Sequence, residues 1–152
     1  MQHWQSNISF SLALGLVMAT NISTAQWSDA MDPRQIEWDR AMEAFENNQF
    51  ALACHAFETL ASEEDPASEA YVTATYYAAM SSMSLYHKDA SYRIESFVKR
   101  FPESPLALEA RWELANHQYK RRNYSKAIEQ FLEIRPRELS KERRDEYRFK
   151  LG

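Results

Sequence analysis

Four histidines, one cysteine and one acidic run are the side chains here whose chemistry could go beyond structure: His3, His55, His87, His117, Cys54 and Glu63-Glu64-Asp65. A thiol nucleophile needs a base that takes its proton. Cys54 and His55 are adjacent, and neighbouring side chains on a helix diverge by about 100°, so this imidazole is badly placed to do it. The histidines include no pair four apart on a helix and no HExxH, so the spacing of a zinc site is missing, and no triad can be assembled. The acidic run lacks the alternating ligands of a calcium loop and reads as a solvated turn ahead of Pro66. With two glycines in the chain, no glycine-rich loop can cradle a phosphate. The expectation is a protein with no catalytic residue, no metal site, no cofactor and no small-molecule substrate.

What positions the remaining side chains is helix. A chain of 152 residues is one domain at most. Scarce glycine argues against a β-sandwich or a nucleotide-binding α/β fold, and abundant Ala, Glu, Leu, Lys, Arg and Met favour helix. The single cysteine excludes an internal disulfide and reads as a small buried apolar residue. Residues 1–25 differ from the rest. Ile8 to Thr20 carry no charge, and Ser23-Thr24-Ala25 supply small residues ahead of a cleavage point at Gln26, although the preceding segment holds no Lys or Arg. This predicts a secretory signal peptide over 1–25 and an exported domain over 26–152. A 13-residue apolar run is too short to span a bilayer, so no transmembrane span is expected.

Beyond the signal, Asp32-Pro33, Asp65-Pro66 and Ser104-Pro105 each pair a capping side chain with a proline suited to the first helical position. Polar breaks near Asn47-Asn48-Gln49, His87-Lys88-Asp89 and Arg121-Arg122-Asn123 divide the helical segments into pairs, giving three helical hairpins. A shift of 37 residues superposes Ala53, Ala90 and Ala127, then Phe57, Ile94 and Phe131, then Leu60, Phe97 and Ile134. The same shift aligns Phe50, His87 and Tyr124, and in the first helices Ala41, Ala78, Ala115 and Gly152. Small residues recur where helices cross closely and large apolar ones recur a turn away, the signature of a repeat array.

This pattern resembles the tetratricopeptide repeat, with Leu114-Ala115, Tyr119, Asn123-Tyr124, Ala127-Ile128 and Phe131 as its closest stretch. Phe101-Pro102-Glu103-Ser104-Pro105, leading to Ala110, Trp112 and Leu114-Ala115, is similar to tetratricopeptide proteins of the bacterial cell envelope, such as outer-membrane assembly lipoproteins and the coordinator of the Tol-Pal system. The resemblance implies an all-α, right-handed solenoid of antiparallel hairpins, three hairpins plus one terminal helix, with repeats at about 33–64, 66–101 and 105–135 and a partial fourth at 139–152. The period is longer than the family's usual 34, His87 stands where an aromatic is expected, and Trp38 and Trp112 sit one position late. Carried onto this register, the family's concave groove is lined by Trp38, Met42 and Phe45, then Thr75, Ala79 and Ser82, then Trp112, Asn116 and Tyr119. Trp38 and Trp112 replace the lysines of the family's clamp for a terminal carboxylate, so no such clamp is expected.

Leu151-Gly152 fall in register with Leu114-Ala115, as in the first part of a longer array, while the charges of 141–150 suit a polar capping helix; the register favours a longer array. From Ser28 to Glu69 eleven acids face two bases, and from Ala70 to Gly152 sixteen bases face eleven acids. With net charge −4 and no broad basic face, nucleic acid is not an expected partner. The expected function is an adaptor of the cell envelope, in the periplasm or at the periplasmic face of the outer membrane, that binds segments of other proteins and catalyses nothing. The alternative is a docking or spacer module of a larger enzyme or receptor.

Overall fold

Four side chains start four helices at an even spacing. Asp32 accepts from the Arg34 amide (3.1 Å), Ser68 from Tyr71 (3.0 Å), Ser104 from Leu106 (3.2 Å) and Ser140 from Arg143 (3.3 Å), and successive caps lie 36 residues apart. Each cap occupies an amide that the helix leaves without a partner, which stabilises it by about 1 kcal/mol. The helices they open are α1 (Pro33–Glu46), α3 (Glu69–Ser84), α5 (Pro105–Lys120) and α7 (Lys141–Leu151). The computed structural model describes residues 32–152; the signal peptide expected over 1–25 lies outside the described residues.

One expected start is corrected. Asp65-Pro66 does not open a helix, because the Asp65 carboxylate accepts from the Ala67 amide (2.9 Å) and its carbonyl from the Ser68 amide (2.8 Å), closing a turn with proline second. Ser68 takes the cap instead, and α3 begins at Glu69.

The partner helices α2 (Phe50–Glu63), α4 (Ala90–Arg100) and α6 (Tyr124–Leu132) come after three turns of one design. Asn48, Tyr86 and Arg122 adopt left-handed backbone, with φ of 58°, 57° and 60°. Around them the amide of Gln49 reaches the Ala44 carbonyl, that of His87 reaches Ser82 and that of Asn123 reaches Gln118, while Asn48, Tyr86 and Arg122 donate to Phe45, Met83 and Tyr119. This is the Schellman closure, which normally calls on glycine at the left-handed residue. Among the described residues it is made three times without one.

These turns correct the alignment of the middle hairpin. His87 corresponds to Gln49 and Asn123 by its hydrogen bond, so it does not share a position with Phe50 and Tyr124. One residue fewer then separates the turn from Ala90 than separates Gln49 from Ala53, and α4 starts late, after a further turn at Lys88-Asp89. The register is regained at Ala90. Ala53, Ala90 and Ala127 are buried, as are Phe57, Ile94 and Phe131, Leu60, Phe97 and Ile134, and Ala41, Ala78 and Ala115.

The result is an all-α arrangement, with no strand among the described residues, in which every α-helix packs on the next. The core runs through it as three clusters, centred on Phe57, on Ile94 and Phe97, and on Phe131. Phe57 and Phe131 are fully enclosed, each contributing about 2–3 kcal/mol by leaving water. The continuous run Ala78–Met83 in α3 is buried on all sides, because α3 lies between α2, α4 and α5. A short 3₁₀ turn, Pro136–Glu138, leads to α7, which has no buried residue of its own. No helix among the described residues is long and apolar enough to cross a membrane.

Candidate functional site

The nine positions expected to line a groove fall into three groups. Trp38, Met42 and Phe45 are half-buried on α1 and pack against the first core cluster. The Trp38 ring meets Phe57 edge-on at 5.8 Å, and Phe45 meets Phe50 at 5.7 Å and Tyr77 at 5.0 Å. Such contacts hold the rings in place and leave one edge of each open.

Thr75 and Ala79 belong to a different surface. With Tyr71, Tyr92, Arg93 and Arg100 they line a cleft of about 430 Å³ between α2, α3 and α4. The Thr75 hydroxyl is buried without a hydrogen-bond partner. Arg93 crosses the cleft to Glu58 and also holds Asp89 at 2.6 Å, which keeps the Asp89 carboxyl below its ordinary range and the guanidinium firmly charged. Arg100 donates to the Tyr71 hydroxyl at 2.7 Å and lies over the Tyr71 and Phe101 rings. Ser82 is fully buried and bonds the His87 ring at 3.1 Å, bracing the α3–α4 turn.

The third group lies beneath α7. Trp112 is 3 % exposed, edge-on to Phe131 at 5.5 Å, with Arg143 over its face at 5.4 Å and Lys150 at 5.7 Å. Arg143 is held by two bonds to Glu109, at 2.6 and 2.7 Å. Lys150 bonds Asn116 and Glu146 and lies 5.3 Å from the Tyr119 ring. Asn116 is buried and Tyr119 half-buried. The terminal helix therefore occupies the surface that the third hairpin was expected to offer, through a bidentate ion pair and cation–π contacts.

Titratable groups elsewhere are tuned by burial. The Cys54 thiol is pushed up by burial and by Glu58, and its hydrogen-bond partners are the Ala78 carbonyl (3.7 Å) and Glu58 (3.8 Å) rather than the exposed His55. Glu113 is raised by burial and by Glu109. His117, tilted against the Tyr86 ring at 5.6 Å, is lowered by burial and by Arg121 and Lys120. A thiol held neutral and an imidazole facing two cations are poorly set for nucleophilic or base chemistry. Among the described residues no three His, Cys, Asp or Glu side chains come together to hold a metal ion.

Two open apolar surfaces were not named from the sequence. A groove of about 490 Å³ runs between α1 and α2, lined by Ala41, Leu52 and Ala56 and edged by Glu37, Glu43 and Glu63. On α6, Tyr124, Ile128 and Leu132 stand four residues apart and exposed. The available signal was Leu52, Ile128 and Leu132 on helix faces where a solvated surface would carry polar residues. Compared with protein-family models, with curated proteins and with solved structures, the chain has no significant match.

Proposed function

We propose that this chain is a non-catalytic adaptor of the bacterial cell envelope, built as a right-handed solenoid of tetratricopeptide-like hairpins and exported behind residues 1–25. Supporting the reading is one observation above the others: equivalent positions of successive hairpins, such as Phe57, Ile94 and Phe131, are buried in the same way. A stack held together by neighbour contacts leaves long helix faces free, and such faces bind extended segments or helices of other proteins. Trp38, Met42 and Phe45, with the part of Tyr119 that α7 leaves uncovered, are the groove positions that keep part of their surface in solvent. Aromatic and methionine side chains held at one edge make effective anchors, since little entropy is lost when a partner covers the other.

The test is affinity capture from envelope extract with the parent chain and with a Met42→Glu, Tyr119→Ala double variant of unchanged far-UV circular dichroism. Envelope proteins retained by the parent and lost by the variant are the expected result. Identical capture by both baits overturns the groove, and capture by neither overturns the adaptor.

A further inference from the structure

Thr75 takes the position, one 37-residue period either way, of Trp38 and Trp112, and Ile94 takes that of Phe57 and Phe131. In the first and third hairpins those residues meet ring on ring, Trp38 edge-on to Phe57 at 5.8 Å and Trp112 edge-on to Phe131 at 5.5 Å. The second hairpin has no such pair, and the cleft of about 430 Å³ opens beside Thr75, between α3, α4 and the α2 of the hairpin before. Each of these helices has another α-helix before and after it in the array. Ala61, Ala78, Ala79, Phe97 and Phe101 give the cleft apolar walls, and Tyr92, 73 % exposed, stands at its rim. A cavity of this size with apolar walls and a few polar groups is of the kind that holds a small ligand.

Its charges narrow the chemistry. The charged side chains lining the cleft are Glu58, Arg93 and Arg100. Arg93 crosses to Glu58 and holds Asp89 as well, so its guanidinium is already matched. Arg100 donates to the Tyr71 hydroxyl at 2.7 Å and lies 4.9 Å from the centre of the Tyr71 ring and 5.2 Å from that of Phe101, and among the described residues no carboxylate pairs with it. The two rings hold the guanidinium in place, and with one donor engaged its planar fork keeps others for an acid. One net positive charge suits a monoanion better than a phosphate dianion. On the α3 wall the Thr75 hydroxyl is buried without a partner, a cost that a ligand oxygen within its reach would relieve.

We propose that this cleft binds a small aromatic carboxylate, with its ring among Tyr71, Tyr92 and Phe97, where the second hairpin lacks a ring pair of its own, and its carboxylate on Arg100. The Arg93 to Glu58 bridge spans the cleft, so a free acid fits where an extended polypeptide segment would have to break that bridge. The ligand class follows from the two features together: a ring without the charge leaves Arg100 unmatched, and a charge without the ring leaves the apolar walls wet. Binding here does not require the adaptor reading, which stands or falls on capture of other proteins.

Isothermal titration calorimetry of the full chain tests it with indole-3-acetate, set against indole-3-acetamide, which keeps the ring and loses the charge, and acetate, which keeps the charge and loses the ring. Indole-3-acetate is expected to bind at least about tenfold more tightly than either, and less tightly as salt is added. Arg100→Gln is expected to bring indole-3-acetate down to the affinity of the amide while the amide binds as before. Thr75→Trp returns an indole to the α3 wall and is expected to abolish binding. Should that variant lose helix by circular dichroism, Ser62→Trp, at an exposed position on the α2 wall, blocks the cleft from the other side. A parent that binds no indole-3-acetate, or binds acid and amide alike, overturns the proposal. So does an Arg100→Gln chain that binds the acid as the parent does or loses acid and amide together, and so does a folded blocking variant that still binds.

Discussion

Cys54 and Glu113 show how position outranks residue type. Burial and the neighbouring Glu58 hold the Cys54 thiol protonated, and the thiolate is the reactive form. Iodoacetamide at neutral pH is expected to label Cys54 at least about tenfold more slowly in the folded chain than in guanidinium, a difference that mass spectrometry measures directly. Equal rates would mean the thiol is open. Glu113 has its folded-state pKa raised by burial and by Glu109, so the folded chain holds that proton more tightly than the unfolded chain. Below the ordinary glutamate range both states are protonated and nothing is lost. As pH rises from there through the folded value, the unfolded state ionises first and stability declines. A Glu113→Gln variant is therefore expected to melt higher than the parent at about pH 7 and level with it at about pH 3.5. Scanning fluorimetry at the two values decides it.

Hairpin turns are where local geometry and residue identity disagree most. A left-handed backbone costs a non-glycine residue about 1 kcal/mol, yet Asn48, Tyr86 and Arg122 all adopt it. Asparagine tolerates that region, and Tyr86 packs at a tilt against His117, whereas nothing in the structure explains Arg122. Arg122→Gly is expected to stabilise the protein by about 0.5–1 kcal/mol in urea unfolding. A loss of stability would show that the arginine makes a contact outweighing its backbone strain. The late start of α4 belongs to the same scale. One residue fewer separates His87 from Ala90 than Gln49 from Ala53, and Lys88-Asp89 stay in a turn, so Ala90 recovers the buried register after a longer non-helical connection.

Over the whole molecule, coverage is uneven. The segment Ala78–Met83 of α3 is enclosed by its neighbours, while α7 has no buried residue and is held largely by Arg143, Lys150, Tyr147 and Leu151. In a chain whose helices pack on their sequence neighbours, local opening begins at the least covered end. Hydrogen exchange is expected to protect α3 most and α7 least, with removal of the Glu109 pair by Arg143→Ala accelerating α7 without changing α3. Uniform protection across α1 to α7 would instead require a single cooperative unit.

Much of this fold was legible in the residues alone. Scarce glycine, the prolines, the polar breaks and the 37-residue recurrence suffice for an all-helical chain of three hairpins and a terminal helix, because helix periodicity and caps are written locally. The buried columns Ala53/Ala90/Ala127 and Phe57/Ile94/Phe131 were legible for the same reason. Asp65-Pro66 misled because a cap and a tight turn use the same side chain, and the choice went to the helix start that Ser68 offered. The groove positions are a different matter. Periodicity tells which residues share a helix face, but not which neighbouring helix comes to lie on that face. That α7 covers Trp112 and Asn116, that Thr75 turns to the α2–α4 cleft, and that Leu52 and Leu132 are left open are consequences of long-range packing, which only the tertiary structure decides.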